Sequence, residues 1–273
     1  MKAAKILIGV LICMAILTWA SEAEQKGVEP APLFPIKKDG KHGYIDNTGK
    51  IVIDLQFDWA VYFSEGLATV RIGGKYGFID KTGKIVIDPQ FDWAVDFSEG
   101  LAPVWIGDFE TGKYGYIDMT GKFVIDPQYY DAWPFSEGLA LVEIGDKRGY
   151  IDKTGKIVID PEFDYGEAFS EGLAMVMIGD KFGYIDKSGK IVIDPQFGLA
   201  GSFSEGLAAA LIGDWETGKW GYIDKTGKIV IDPQFDFAWD FSEGLAAVRI
   251  GDLETGKWGY IDKSGKYVWE PTN

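Results

Sequence analysis

The chain has 273 residues, 47% of them hydrophobic and 15% aromatic, which is ample material for a packed core and too apolar for a disordered polymer. Its 42 acidic against 27 basic residues give a formal charge of −15, a field that repels phosphate backbones and excludes nucleic acid as a partner. One Cys and one His leave no basis for a disulfide framework or for zinc or copper ligation, and no cofactor is expected.

The first element is an export signal. Lys2 and Lys5 lead into the apolar run Ile6–Leu17, followed by Thr18, Trp19, Ala20, Ser21, Glu22 and Ala23. A basic start, a short apolar stretch and small residues behind it read as a secretory signal peptide over residues 1–23. The run is shorter than the roughly 20 residues a membrane-spanning helix needs, so no span is expected after cleavage; an uncleaved anchor is the alternative. Cys13 lies inside this segment, so the mature chain has no cysteine, which suits a bacterial secreted, periplasmic or cell-envelope protein. Residues 24–32 form a short Pro-containing leader, expected to be flexible.

From residue 33 onward one unit is copied. Gly-Tyr-Ile-Asp, with one Phe variant, recurs at Gly43, Gly77, Gly115, Gly149, Gly183, Gly221 and Gly259, at spacings of 34, 38, 34, 34, 38 and 38. The units fall near 33–66, 67–100, 101–138, 139–172, 173–206, 207–244 and 245–273. Each offers three short segments rich in β-branched and aromatic residues with no helical period, such as Leu245–Ile250, Trp258–Asp262 and Ile229–Asp232, and these predict strands. Between the second and third, Asp224-Lys225-Thr226-Gly227 is a turn signal, repeated from Asp46 to Asp262; these aspartates have a structural task. The first hairpin has a short form, as at Gly145-Asp146-Lys147, and a form four residues longer at Gly107–Gly112, Gly213–Gly218 and Gly251–Gly256. An even insertion keeps the inward face of the flanking strands unchanged.

The units Lys219-Trp220-Gly221-Tyr222-Ile223-Asp224 and Lys257-Trp258-Gly259-Tyr260-Ile261-Asp262 resemble the bacterial WG, or KWG, repeat family over roughly residues 33–271. The tryptophan slot holds His42, Tyr76, Tyr114, Arg148 and Phe182 elsewhere, which argues against an invariant ligand contact there. The resemblance implies a repeat array and assigns no activity. The expected fold is therefore all-β: about seven three-stranded antiparallel meanders in tandem. The family's variable repeat number implies an open curved solenoid, with a closed seven-bladed, propeller-like ring as the alternative.

Because the chain aligns with itself, its faces can be compared. Ala68, Val70 and Ile72 recur in every later copy with little change, which marks the buried face of the first strand. The opposite face varies, through Thr69/Arg71, Pro103/Trp105, Leu141/Glu143, Met175/Met177, Ala209/Leu211 and Ala247/Arg249. It is read either as a surface open to a partner or as a second layer packed by the linkers. Candidate binding residues are Trp105, Met175 and Met177 on this face, Trp133 and Trp239 in the linkers, and Phe109 and Trp215 on the long hairpins.

No unique catalytic constellation is present. His42 occupies an aromatic slot, and a carboxylate pair drawn from repeat positions would recur about seven times, which no active site requires. Two carboxylates per long hairpin, as at Asp108 and Glu110, fall short of the 6–8 oxygens calcium prefers. The expected function is a non-catalytic exported scaffold for protein–protein interaction, with a cell-envelope glycan binder as the alternative.

Overall fold

The computed structural model describes residues 32–108, 110–214 and 216–272. The expected signal peptide, the leader up to residue 31, and the candidates Phe109 and Trp215 lie outside the described residues. Among the described residues all regular structure is β, arranged as seven antiparallel sheets in tandem. The first consists of Phe34–Lys38, Lys41–Ile45 and Ile51–Phe57. The second is Trp59–Ala60, Leu67–Ile72, Lys75–Asp80 and Ile85–Phe91, and the remaining five repeat that four-strand order.

Six sheets thus carry one strand more than the meander read from the sequence. The linker supplies it, because its backbone groups need partners and the first long strand has a free edge. Trp59 pairs with Arg71 and Ala60 with Val70, while the Asp58 N–H donates to the Arg71 carbonyl at 2.8 Å. The chain then reverses through Ser64-Glu65-Gly66-Leu67, where both central residues have positive φ (50° and 86°), as a type I′ hairpin turn requires. Each structural unit therefore begins in the linker, at 59 rather than 67.

Two local features recur. In every Asp-Thr/Ser-Gly turn the first carboxylate accepts the N–H and hydroxyl of the residue two on, as Asp46 does from Thr48 at 2.9 and 2.6 Å. The glycine of the Trp-Gly motif is demanded by close approach: a Cβ on Gly77 would lie 2.5 Å from the Ile87 carbonyl oxygen and 2.7 Å from the Pro89 nitrogen. The outer strand bulges there, at Asp-Pro, and passes directly over the glycine. Proline also blunts this edge strand, whose outer Ile and Val side chains are exposed.

The core lies between sheets, and the two contributing faces are unlike. The forward face of each sheet is large: in the fifth it is Leu173, Met175, Phe182, Tyr184, Ile193 and Phe197. Against it packs the small rearward face of the next sheet, Ala208, Ala210 and Ile223, with Phe203 closing the gap. The Ala-Val pairs are buried throughout, as the sequence predicts, but the third member of the triplet is not: Ile106, Ile144, Ile178 and Ile250 reach the rim and are exposed. In the second to sixth sheets the varying face is itself core for its first two positions, so Met175 is an interior residue, and the third position, where Trp105 and Met177 sit, reaches the surface except at Leu211. Both faces are buried because each sheet is sandwiched, which one strand's alternation cannot reveal.

Polar links lock consecutive sheets. Ser64 Oγ donates to the Phe97 carbonyl at 2.7 Å, and Ser98, Ser136, Ser170 and Ser204 repeat the bond one sheet further on. The neighbouring glutamate, held in the left-handed conformation, accepts the glycine N–H of the next corner, as Glu65 does from Gly100 at 2.8 Å. Lys153, Lys187, Lys225 and Lys263 of the following sheet then pair with Glu99, Glu137, Glu171 and Glu205 at 2.9–3.1 Å. The array is open, not ring-like. Tyr260 and Trp269 on the forward face of the seventh sheet are 48% and 60% exposed, whereas their sixth-sheet counterparts Tyr222 and Ile231 are 0% and 3% exposed.

Candidate functional site

The third position of the first long strand lies in a cross-strand row along one rim. Register places Trp59, Arg71 and Tyr76 side by side in the second sheet, then Trp93, Trp105 and Tyr114 in the third. The rows continue as Asp131-Glu143-Arg148, Tyr165-Met177-Phe182, Leu199-Leu211-Trp220 and Phe237-Arg249-Trp258. The backbone repeats while the side chains change chemistry from sheet to sheet.

The motif slot and the next linker meet across each junction. His42 faces Trp59 with ring centroids 5.2 Å apart, Tyr76 faces Trp93 at 5.0 Å, and Trp220 faces Phe237 at 5.5 Å. His42 is buried against Trp59, its Nε2 without a hydrogen-bond partner, and burial holds its pKa below the usual value. That environment suits a packing residue.

Cations already occupy several of these junctions. The Arg148 guanidinium lies 4.7 Å from the ring centres of both Trp133 and Tyr165. Arg249 stands 5.7 Å from Phe237 and from Trp258, and Arg71 5.6 Å from Tyr76. In four of the motif strands the first lysine pairs with the aspartate 17 residues on: Lys41 with Asp58 at 2.6 Å, Lys75 with Asp92 and Lys219 with Asp236 at 2.5 Å, and Lys147 with Asp164. Asp92 is held below the ordinary carboxylate range by the Lys75 bond and the Gly107 N–H.

The rim, the buried corners and the glycine under the bulge all recur with the period of one repeat. The WG containing repeat family matches residues 43–76, 76–108, 114–147, 149–182, 182–214 and 220–253. The chain belongs to the WG repeat family. No curated protein matches it. Among solved structures it is similar to a functionally unknown protein from Desulfotomaculum acetoxidans, at 17% identity and TM-score 0.45 over 87% of this chain and 94% of that one. It is also similar to Kluyveromyces lactis Hsv2, at 12% identity and TM-score 0.46 over 73% and 71% of the two chains.

The sequence-predicted binding residues do not converge on one spot of the WG array. Trp105 is half-buried between Trp93 and Tyr114, and Met177 lies between Tyr165 and Phe182 on the next row but one. Met175 is 5% exposed and belongs to the core. Trp133 is half-buried under Arg148, and its carbonyl accepts the Tyr116 hydroxyl; Trp239 is exposed, 5.1 Å from Phe237. The long hairpins use Asp108 and Asp252 internally: Asp108 Oδ1 accepts the Thr111 N–H at 2.8 Å and its hydroxyl at 2.7 Å. Among the described residues no group of three or more His, Cys, Asp or Glu is placed to hold a metal ion, and no helix is long and apolar enough to cross a membrane.

Sequence reasoning passed over Tyr130 and Asp131. Every other linker with an acid there writes the pair as acid then aromatic: Asp58-Trp59, Asp92-Trp93, Asp164-Tyr165 and Asp236-Phe237. Here the order is reversed, so the acid enters the rim row and the ring takes the lysine's place of contact, with Lys113 Nζ 2.9 Å above the Tyr130 ring centre. That inversion was the available signal.

Proposed function

We propose that this WG repeat protein is a non-catalytic scaffold, exported by its N-terminal segment, whose rim binds another protein outside the cytoplasm. One observation carries the reading. The frame is nearly identical in every copy, yet the rim rows differ in each, and Trp59 and Trp93 within them and Trp239 beside Phe237 are roughly half exposed (48, 47 and 57%). Large rings left in water are costly as idle surface and are enriched where proteins meet. The polar side chains argue in the same direction, because turn aspartates, corner glutamates and most linker aspartates are each committed to hydrogen bonds that hold the array.

The test is chemical cross-linking on the producing cells, comparing wild type with Trp59→Ser/Trp93→Ser/Trp239→Ser. A defined partner cross-linked to the wild type and lost from the variant, at unchanged melting temperature, supports the reading. The alternative, a cell-envelope glycan ligand stacked on the same rings, predicts instead that purified peptidoglycan sediments the wild type and not the variant. Equal cross-linking of both proteins would overturn the assignment of the rim.

A further inference from the structure

At the junction of the third and fourth sheets a cavity of about 390 Å³ opens on the rim, lined by Trp93, Trp105, Tyr114 and Tyr130 with Asp92, Glu110, Gly112 and Asp131. Its chemistry has two sources. The position that holds Arg71 or Arg249 in other rows holds Trp105, so the chain places none of its own guanidinium groups there. Asp131, from the fourth sheet's row, lines the same cavity as the aromatic row of the third. Its neighbour Arg148 pairs with Glu143, whose Oε2 lies 3.5 Å from its Nε, and stacks on two rings, acting on Asp131 through its charge.

The wall is built to keep its shape. Trp105 lies flat against Gly112, where a Cβ would come within 2.5 Å of the indole; any other residue there would displace the ring. Asp131 Oδ1 accepts the Ala132 N–H at 2.8 Å, which fixes the carboxylate while leaving Oδ2 for another donor. Burial raises the pKa of Asp131, outweighing the Ala132 N–H bond and the Arg148 charge that act to lower it, so a cation in direct contact would recover part of an unfavourable charge.

We infer that this pocket takes the guanidinium of an arginine side chain, held between the rings of Trp93, Trp105 and Tyr114 and paired to Asp131. The inference rests on the protein-binding reading above and names what the rim recognises. Its warrant is internal. At three other rows the chain lays its own arginine on rim rings; at this one it supplies rings and an acid with no arginine of its own, Lys113 lying over Tyr130. An arginine bound here reproduces the Arg148 arrangement between two rings and adds a charge-assisted hydrogen bond. Planarity favours arginine over lysine, since a guanidinium can stack on one indole and donate in its own plane to the carboxylate.

The experiment titrates the full chain with acetyl-Gly-Arg-Gly-amide, with its uncharged citrulline isostere, and with methylguanidinium, following the indole N–H resonances of Trp93 and Trp105. The arginine peptide is expected to bind saturably, with citrulline at least tenfold weaker. Asp131→Asn keeps the acceptor for Ala132 and should weaken the arginine peptide by about tenfold, the scale of one 1.4 kcal/mol contact, without moving the melting temperature. Trp93→Ser, at an exposed ring, should weaken it as well. Citrulline binding as tightly as arginine, or Asp131→Asn binding like the wild type, overturns the inference. Methylguanidinium binding as tightly as the peptide would uphold the cation pocket and count against a protein as its source, which separates this proposal from the one it rests on.

Discussion

Replacing Gly149 by alanine tests the packing logic of the repeat most directly. At a compatible site Gly→Ala stabilises by about 0.4–1 kcal/mol, because the unfolded chain loses freedom. Here the added Cβ would meet the Ile159 carbonyl oxygen at 2.7 Å and the Pro161 nitrogen at 2.8 Å. Those are backbone atoms of the bulge, pinned on either side by the Arg148–Phe163 and Tyr150–Ile159 pairs, so relief requires moving the outer strand. Overpacking of this kind costs about 1–3 kcal/mol and occasionally more. Steric cost wins, and we expect a net loss of about 2 kcal/mol. At about 2–4 °C per kcal/mol for a chain of this size, the melting temperature should fall by about 4–8 °C. Gly145→Ala is the control: its φ is +68°, but nothing lies within 4 Å, so only the left-handed penalty of about 1–2 kcal/mol applies. Thermal and urea melts of both variants should place Gly149→Ala at or below the control. Since each sheet contacts only its neighbours, the loss should also split the transition, with the fourth sheet's two junctions failing first. A Gly149→Ala protein as stable as the wild type would refute the close-approach argument for every copy of the motif.

Three further outcomes follow from the same geometry. Tyr44, Tyr116, Tyr150, Tyr184 and Tyr222 each donate a hydroxyl to a linker carbonyl 17 residues on, and Phe78 alone among the first six copies cannot; Phe78→Tyr should reach the Val95 carbonyl and raise stability by about 0.5–1.5 kcal/mol in urea unfolding. Tyr222→Ala should cost about 3–5 kcal/mol and Tyr260→Ala much less, because only the former is covered by a following sheet; equal losses would mean that the forward face of the seventh sheet is covered after all. Hydrogen bonds from Thr or Ser hold the turn aspartates below their ordinary pKa. At Glu99 and Glu171 burial works the other way and is outweighed by the Lys153 and Lys225 bonds, while at Glu205 the Lys263 bond leads. Groups depressed in the folded state stabilise it above their unfolded pKa, about 4, and lose that contribution as pH falls through the folded value. The urea midpoint should therefore decline on acidification from about pH 5 to about pH 3, with Asp131 and Asp240, whose pKa values burial raises, opposing weakly. A midpoint unchanged across that range would contradict the assignment.

Much of this architecture was legible in the residues. The period, the strand segments, the Asp-Thr-Gly turns and the burial of each Ala-Val pair all follow from local chemistry repeated seven times, since a turn or an alternation needs only its own neighbours in the chain. The roles of Ser-Glu-Gly and of Asp131 were less visible, for different reasons. Ser64 and Glu65 act on residues about 34 positions away, and nothing in a hexapeptide announces a bond across that distance. Asp131 was marked only by the inversion of a dipeptide, whose meaning depends on which neighbour each side chain then faces.

What the amino-acid order determined alone was the unit: a strand-turn-strand phrase with one small side and one large side. Stacking decided the rest. The large side is core where another sheet covers it and surface where none does, so the same leucine-to-tyrosine face is buried six times and bare once. The third position of each strand is a rim residue because the sheet ends there. Burial is a property of what lies opposite, and only the assembled array specifies that.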